Sequence, residues 1–473
     1  VEPRSRLFRE VARAALADER LQRALAAGTD RLRQERDRAF AALPDGEALR
    51  DRARAIKARS LAQLDRLLAQ LAERVEARGG RVHWAADAAE ACALVTEIAG
   101  RDGGRRAVKS KSMTSEEIGL NAALEGAGVE VVETDLGEYV VQIAGETPSH
   151  IITPAIHKTK DEIADLFARH HGAPRLERHE ELTREARERL RARFLAADVG
   201  ITGVNFAVAE TGTLAIVENE GNVRMSSSLP RRHVAIMGME KVIPDLESLA
   251  VCLRLLARSA TGQKMSSYVS LITGPRREGE EDGPDELHLV VLDNGRSRLL
   301  ADPALRESLH CIRCGACLNV CPVYRHAGGH AYGWAYPGPI GAVVDPSLAG
   351  PERAAPLPFA SSLCGACAEV CPVRIPLPHL LLRQRERVVT ARSAERAAGA
   401  GGGALERALA RAFAWAMASP ARYRWASRLA RVASLPFARR GWLRRAPGLR
   451  AWTASRDFPA PARRSFRERR KTS

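Results

Sequence analysis

Seven of the nine cysteines crowd between residues 311 and 371, and their spacing constrains this chain more than any other feature. Cys311-x2-Cys314-x2-Cys317-x3-Cys321-Pro322 has the spacing of the bacterial iron–sulfur run, in which three thiolates hold one cluster and the fourth reaches across to a second. A tight turn offers three sulfurs to three irons of a cubane, and the proline after the fourth cysteine leads the chain away. Cys364-x2-Cys367-x3-Cys371-Pro372 repeats the last three positions of that run. Crossed ligation assigns Cys311, Cys314, Cys317 and Cys371 to one cluster and Cys321, Cys364 and Cys367 to the other.

The second set is one thiolate short, and aligning the two runs puts Ser361 where the missing cysteine would stand. Three outcomes fit: a cubane with one non-cysteine ligand, a three-iron cluster, or a four-iron cluster with an open iron. Two [4Fe–4S] clusters, the second labile, are the expectation. Structural zinc also uses cysteine pairs separated by two residues, but the triple-cysteine run and both Cys-Pro endings exceed what a tetrahedral site needs. Cys92 and Cys252 lie in apolar helical contexts, where a free cysteine behaves as a small buried residue.

A length of 473 residues predicts about three domains. A hydrophobic share of 45% and a charged share of 27% exclude a collagenous or wholly disordered chain. Nine cysteines are too few to staple so long a chain with disulfides. The net charge of +16 resides entirely in residues 391–473, which hold 20 basic and 4 acidic side chains, while residues 1–390 balance. Nothing approaches the roughly 18–20 consecutive apolar residues of a membrane-spanning helix. Val1 to Arg13 lacks the apolar core of a signal peptide, so a cytoplasmic location is expected, with peripheral association at the inner membrane face as an extension.

Four regions follow. Residues 1–79 carry apolar positions three and four apart (Leu49, Ala53, Ile56, Leu61, Leu64, Leu67, Leu68) and predict amphipathic helices ending at Gly79-Gly80. Residues 80–300 alternate β-rich runs (Val129 to Val132, Ala207 to Ala209, Leu214 to Val217, Leu287 to Leu292) with helical stretches (Ala88–Ile98, Ser115–Gly126), which predicts an α/β domain with a largely parallel sheet. Residues 301–390 hold the cysteines. Residues 391–473 begin with an Ala/Gly linker, Ala397 to Ala404, and continue as an Arg/Trp-rich helical tail.

In an open α/β sheet, ligands bind beyond the carboxyl ends of the strands. The pocket candidates are therefore polar loop residues: Lys109, Ser110, Lys111, Glu138, Glu210, Thr211, Gly212, Thr213, Glu218 and Asn219. Lys109 and Lys111 suit an anionic group, and Glu138, Glu210 and Glu218 suit acid/base work. His157, His233 and His288 are as readily structural histidines. No dinucleotide-binding glycine run, phosphate loop, zinc-protease motif or nucleophile elbow is found. Two-electron oxidation of an organic substrate would then need a flavin or comparable cofactor, expected on a partner chain.

The Arg–Trp mixture of the tail (Trp415, Trp425, Trp442, Trp452) suits a membrane interface or a protein interface. An Arg-rich helical surface explains it equally. No nucleic-acid-binding signature accompanies the charge, so nucleic acid is not an expected partner.

Several segments resemble the lactate utilization iron–sulfur protein family of bacterial L-lactate oxidation operons. They are Lys109-Ser110-Lys111-Ser112-Met113, Glu133 to Glu138, Asn205-Phe206-Ala207 with Glu210 to Thr213, and Val217 to Asn222. The series continues with Ala260 to Gln263, Leu292 to Arg296, Cys311 to Tyr324, Gly329 to Gly333 and Tyr336 to Gly341. The resemblance implies an α/β LUD domain similar to the NagB/CoA-transferase-like group, then an α-helical two-cluster ferredoxin domain. It also implies work with companion lactate-utilization subunits in converting L-lactate to pyruvate. The leading expectation is a subunit of that complex which passes electrons through its clusters to a membrane quinone pool or another carrier. The rival expectation is an iron–sulfur redox-sensing or scaffold protein that stands off the catalytic electron path.

Overall fold

Apolar residues three and four apart fold the start of the chain into four helices, Phe8–Ala17, Glu19–Ala41, Gly46–Ala62 and Leu64–Glu76. The last buries Leu64, Leu67, Leu68, Leu71 and Val75 along one stripe. Gly79, at φ 85°, turns the chain out of it into the first strand. This is a computed structural model; it describes residues 3–397 and 404–443, with Thr453, residues 457–462, Phe466 and Arg470.

Ten strands follow: β1 Arg81–Ala85, β2 Arg106–Lys109, β3 Glu130–Glu133, β4 Val199–Gly203, β5 Phe206–Val208, β6 Thr213–Glu218, β7 Arg232–Gly238, β8 Val242–Ile243, β9 Tyr268–Ile272 and β10 Glu286–Leu292. Six form a wholly parallel sheet in the order β1-β10-β7-β4-β2-β3. Its central strand β7 is buried along its whole length, as expected of a sheet covered on both faces.

The largely parallel sheet expected is present, and the other four strands stand apart from it. They form a second sheet, β8-β5-β6-β9, in which β5 and β6 pair antiparallel, as do β6 and β9. The reason is connection length: residues 209–212 make a hairpin, far too short for a parallel crossover. The helix expected over Ser115–Gly126 is two helices, Met113–Ile118 and Leu120–Gly126, because Gly119 between them adopts φ 70°.

The helical, α/β and cysteine-bearing regions are one body as far as Thr390. A shared hydrophobic core joins Phe8 and Ile56 of the first helices, Phe206 and Ala215 of the second sheet, Leu255 of helix Leu246–Thr261, and Leu318, Ile340 and Leu381 beyond the cysteines. Charged side chains of the N-terminal helices clamp the cysteine runs. Arg36 donates to the Val370 carbonyl, Arg50 to that of Cys371, and Asp30 and Glu47 accept from Arg325 and Arg374.

From Ala391 onward the chain forms a separate unit. Helices Ala404–Met417 and Pro420–Ser434 bring Trp415 and Trp425 edge to face at 6.4 Å, and Arg422 sits over the Trp415 ring at 4.9 Å. Beside these helices of the expected helical tail stands a small antiparallel sheet of Ala438–Arg439, Trp442–Leu443 and Phe458–Pro459. Arg440 and Gly441, both at positive φ, make the two-residue hairpin turn that such a strand pair favours. Trp452 and most of the Ala/Gly run lie outside the described residues. Among the described residues no helix is long and apolar enough to cross a membrane.

Candidate metal centre and adjoining cavity

Each cysteine run begins as a tight turn. Arg313 and Leu363, each just before a cysteine, adopt φ 58° and 55°, and Gly315 and Gly365, each just after it, adopt φ 73° and 92°. These glycines open one-turn helices, Ala316–Asn319 and Ala366–Glu369. Pro322 then occupies the first turn of helix Pro322–Ala327, where its missing N–H costs nothing. Backbone N–H groups point at sulfur: Arg313 donates to Cys311 at 3.4 Å, Tyr324 to Cys321 at 3.5 Å and Ile375 to Cys371 at 3.3 Å.

Cys311, Cys314, Cys317 and Cys371 line one cavity whose other walls are largely apolar, among them Ile151, Ile312, Ile340 and Val373. Cys321, Cys364 and Cys367 form the second group, in which Cys364 is exposed and the other two are buried. Burial pushes the thiols of Cys314 and Cys317 up, and their neighbouring sulfurs push them further. Cys367 is pushed up to about 12 and Cys371 to about 11, again by burial first. Such thiols deprotonate only against a compensating positive charge, which iron supplies on ligation. The donor sets therefore fit iron–sulfur clusters. The Ser361 hydroxyl accepts from the Leu363 N–H at 3.1 Å, a local turn bond. Cys92 is half-buried with its thiol on the Ile118 carbonyl at 3.4 Å, and Cys252 is buried.

Beside the four-cysteine cavity lies a larger one of about 340 Å³, and Ile151 and Arg313 belong to the walls of both. It opens beyond the carboxyl ends of the parallel strands. Lys111 follows β2, Asp135 follows β3, Gly203 ends β4 and Lys241 follows β7. The second sheet adds Glu218, Asn219 and Glu220 at the rim. Burial, then the neighbouring Asp135, pushes Glu220 up to about 7.

Of the ten pocket candidates, Lys111, Glu218 and Asn219 line this cavity. Lys111 donates to the Ile152 carbonyl at 2.9 Å. Glu218 accepts from the N–H groups of Val223 and Arg224 at 2.7 and 3.1 Å and so caps helix Asn222–Ser228. Lys109, Ser110 and Glu138 are buried outside its lining. The Lys109 ammonium lies 2.8 Å from Glu133 and 3.1 Å from Glu116. Burial and those two carboxylates hold Glu138 well above the usual carboxylate range. Glu210, Thr211, Gly212 and Thr213 form the β5–β6 hairpin away from the cavity, with the Thr211 and Thr213 hydroxyls 2.7 Å apart. His233 pairs with the Thr202 hydroxyl at 2.8 Å, His288 with His83 at 3.0 Å and His157 with Glu146 at 2.7 Å.

Sequence reasoning did not single out Lys241, Arg313, Tyr336 or Glu240 as site residues. Arg296 bonds both Glu117 oxygens, at 2.8 and 2.7 Å, and Glu240 at 2.7 Å, while the Tyr336 hydroxyl donates to Glu117 at 2.6 Å. The Arg313 guanidinium lies over the Tyr336 ring at 4.3 Å. An arginine set between two cysteine ligands was the one local signal.

Comparison with known proteins follows these parts. Residues 68–292 match the LUD domain, 307–375 the 4Fe-4S dicluster domain, and 381–473 the C-terminal region of lactate utilisation protein B. Lactate utilization protein B of Shouchella clausii is 46% identical over 455 residues, covering 96% of this chain and 94% of its own. That of Bacillus subtilis is 45% identical over 464 residues, covering 98% and 95%. A solved duf162 family protein from Deinococcus radiodurans, 17% identical, covers 48% of this chain and 98% of its own at a TM-score of 0.28, too low to speak to the fold.

Proposed function

Because the chain belongs to the lactate utilization protein B family, we propose that it is the iron–sulfur electron-transfer subunit of an L-lactate-oxidising complex. In this reading it works with companion lactate-utilization subunits in converting L-lactate to pyruvate, and a quinone pool or another carrier takes the electrons. The observation that carries the proposal is the sorting of seven cysteines into two groups by the fold, one of them walled into a cavity that adjoins a ligand-sized one.

Cys311, Cys314, Cys317 and Cys371 would hold one [4Fe–4S] cluster, and Cys321, Cys364 and Cys367 the second. Bound clusters of this kind exchange single electrons at potentials set by charge, hydrogen bonds and solvent exposure. The chain's own residues supply those settings differently for the two groups. Around the first, Ile312, Ile340 and Val373 exclude water, and Lys57, Lys241 and Arg313 stand near Cys311. The second reaches the surface at Cys364, where a companion subunit or carrier can approach. The tail, with Trp415, Trp425 and Trp442 exposed among arginines, suits docking to a companion chain or an anionic membrane surface. The likeness of the α/β region to the NagB/CoA-transferase-like group belongs to the same reading.

The test is Cys317→Ser assayed with the companion subunits. It should abolish lactate-dependent electron flow and leave the far-ultraviolet circular dichroism of the folded body intact. Undiminished turnover would contradict the proposal.

A further inference from the structure

Buried Lys57, Lys241 and Arg296, with Arg313, whose side chain is 9% exposed, gather about Glu240; the carboxylates of Glu240, Glu117 and Asp345 are buried among them, and Cys311 stands near Lys57, Lys241 and Arg313. Unpaired charge in such a place is expensive, so each cation calls for a partner. Arg296 is satisfied by Glu117 and Glu240, and Lys57 donates to the Glu240 carbonyl. The two cations that line the large cavity are not. Among the described residues none accepts a hydrogen bond from Lys241, Arg313 Nη1 is buried without a partner, and the Arg313 guanidinium comes no nearer to Glu240 than 3.8 Å. Tyr336 covers the guanidinium face, which leaves its N–H edge, the edge that bonds a carboxylate in bidentate fashion.

The turn does not require an arginine, since Leu363 holds the same place and the same φ in the second run. The same lining carries the apolar Met113, Leu256 and Ala260 and the acidic Asp135, Glu218 and Glu220, the last of them exposed. Two unsatisfied cations beside apolar and acidic side chains favour one negative charge on the ligand and disfavour a second. The volume is that of a small-molecule site.

Resting on the function proposed above and deepening it, we infer that this cavity binds a short-chain monocarboxylate, the 2-hydroxy acid or its 2-oxo product. Arg313 and Lys241 grip the carboxylate beside the Cys311 group. The organic anion is then housed on this chain and not solely on a companion.

The full-length chain, purified anaerobically, is titrated calorimetrically with L-lactate, pyruvate, malate and inorganic phosphate. L-lactate or pyruvate should bind saturably at one site, and malate and phosphate at least tenfold more weakly. Arg313→Leu, which copies the second run, and Lys241→Met should each weaken the monocarboxylate at least tenfold at unchanged iron content. If Arg313→Leu fails to load iron, Lys241→Met decides. Absence of saturable monocarboxylate binding, equal binding of malate, or variants that shift the cluster potential while binding as wild type would overturn the inference. Binding without lactate-driven cluster reduction in the assembled complex would refute the electron-transfer role and leave the site standing; reduction without binding to this chain would do the reverse.

Discussion

Arg313 and Leu363 occupy one position in two copies of the same turn, with φ of 58° and 55°, yet one presents a buried guanidinium to its cysteine group and the other an aliphatic side chain. The backbone is shared and the electrostatics are not. Arg313→Leu should therefore lower the reduction potential of the cluster held by Cys311. The shift should be on the order of 100 mV, the Coulomb energy of a unit charge several ångströms away at an effective dielectric constant of about 20. A potentiometric titration followed by EPR measures it, and an unchanged potential would show that Arg313 does not face that cluster.

Glu220 sits at the cavity rim with its ionisation pushed up to about 7, by burial first and then by Asp135, while the Leu136 N–H and Lys111 oppose the shift and Glu218 adds to it. Below that value the rim loses one negative charge, and above it the charge is present. Monocarboxylate affinity should fall as pH rises through 7. Glu220→Gln should flatten the profile between pH 6 and 8 by calorimetry.

The Arg296–Glu117–Glu240 network is almost wholly buried, with a bidentate Arg296–Glu117 pair at its centre. Removing one partner strands the other's charge in the interior. Arg296→Ala or Glu117→Ala should destabilise the body by about 3–5 kcal/mol, read as a lowered midpoint in chemical denaturation. The double replacement should cost less than the two single changes added together.

His150 and His233 are fully buried and held neutral, each pushed down to about 3 by burial. Their folded-state values lie below the unfolded value near 6.5, so the unfolded chain binds more protons once pH drops below about 6.5. The stability that they contribute is full above that pH and is lost as pH falls toward 3. Between pH 6.5 and 5 each should cost on the order of 2 kcal/mol. Thermal unfolding at a series of pH values measures the decline, and a flat midpoint over that window would contradict the burial assignment.

What sequence made legible was local. Cysteine spacing is set within a single turn, so the two groups could be assigned by counting. The first helices announced themselves through Ala53, Ile56, Leu64, Leu67 and Leu68, apolar positions three and four apart. Features that depend on distant partners were not legible. β5 and β6 read as strands, but only the four-residue connection between them separates a hairpin from a parallel pair. Lys109 reads as a loop cation, yet it ends β2 and turns into the interior to meet Glu133 of β3. Lys241 and Arg313, more than seventy residues apart in sequence, share a cavity wall because β7 ends where the first cysteine turn packs.

The proposed electron transfer stands on seven thiols holding two interlocked iron–sulfur clusters. Iron and acid-labile sulfide measured together on anaerobically purified full-length chain test it most directly. Two [4Fe–4S] clusters give about eight of each per chain. A colourless protein without sulfide and with zinc as its metal would contradict it, and about four irons in total would contradict the second cluster.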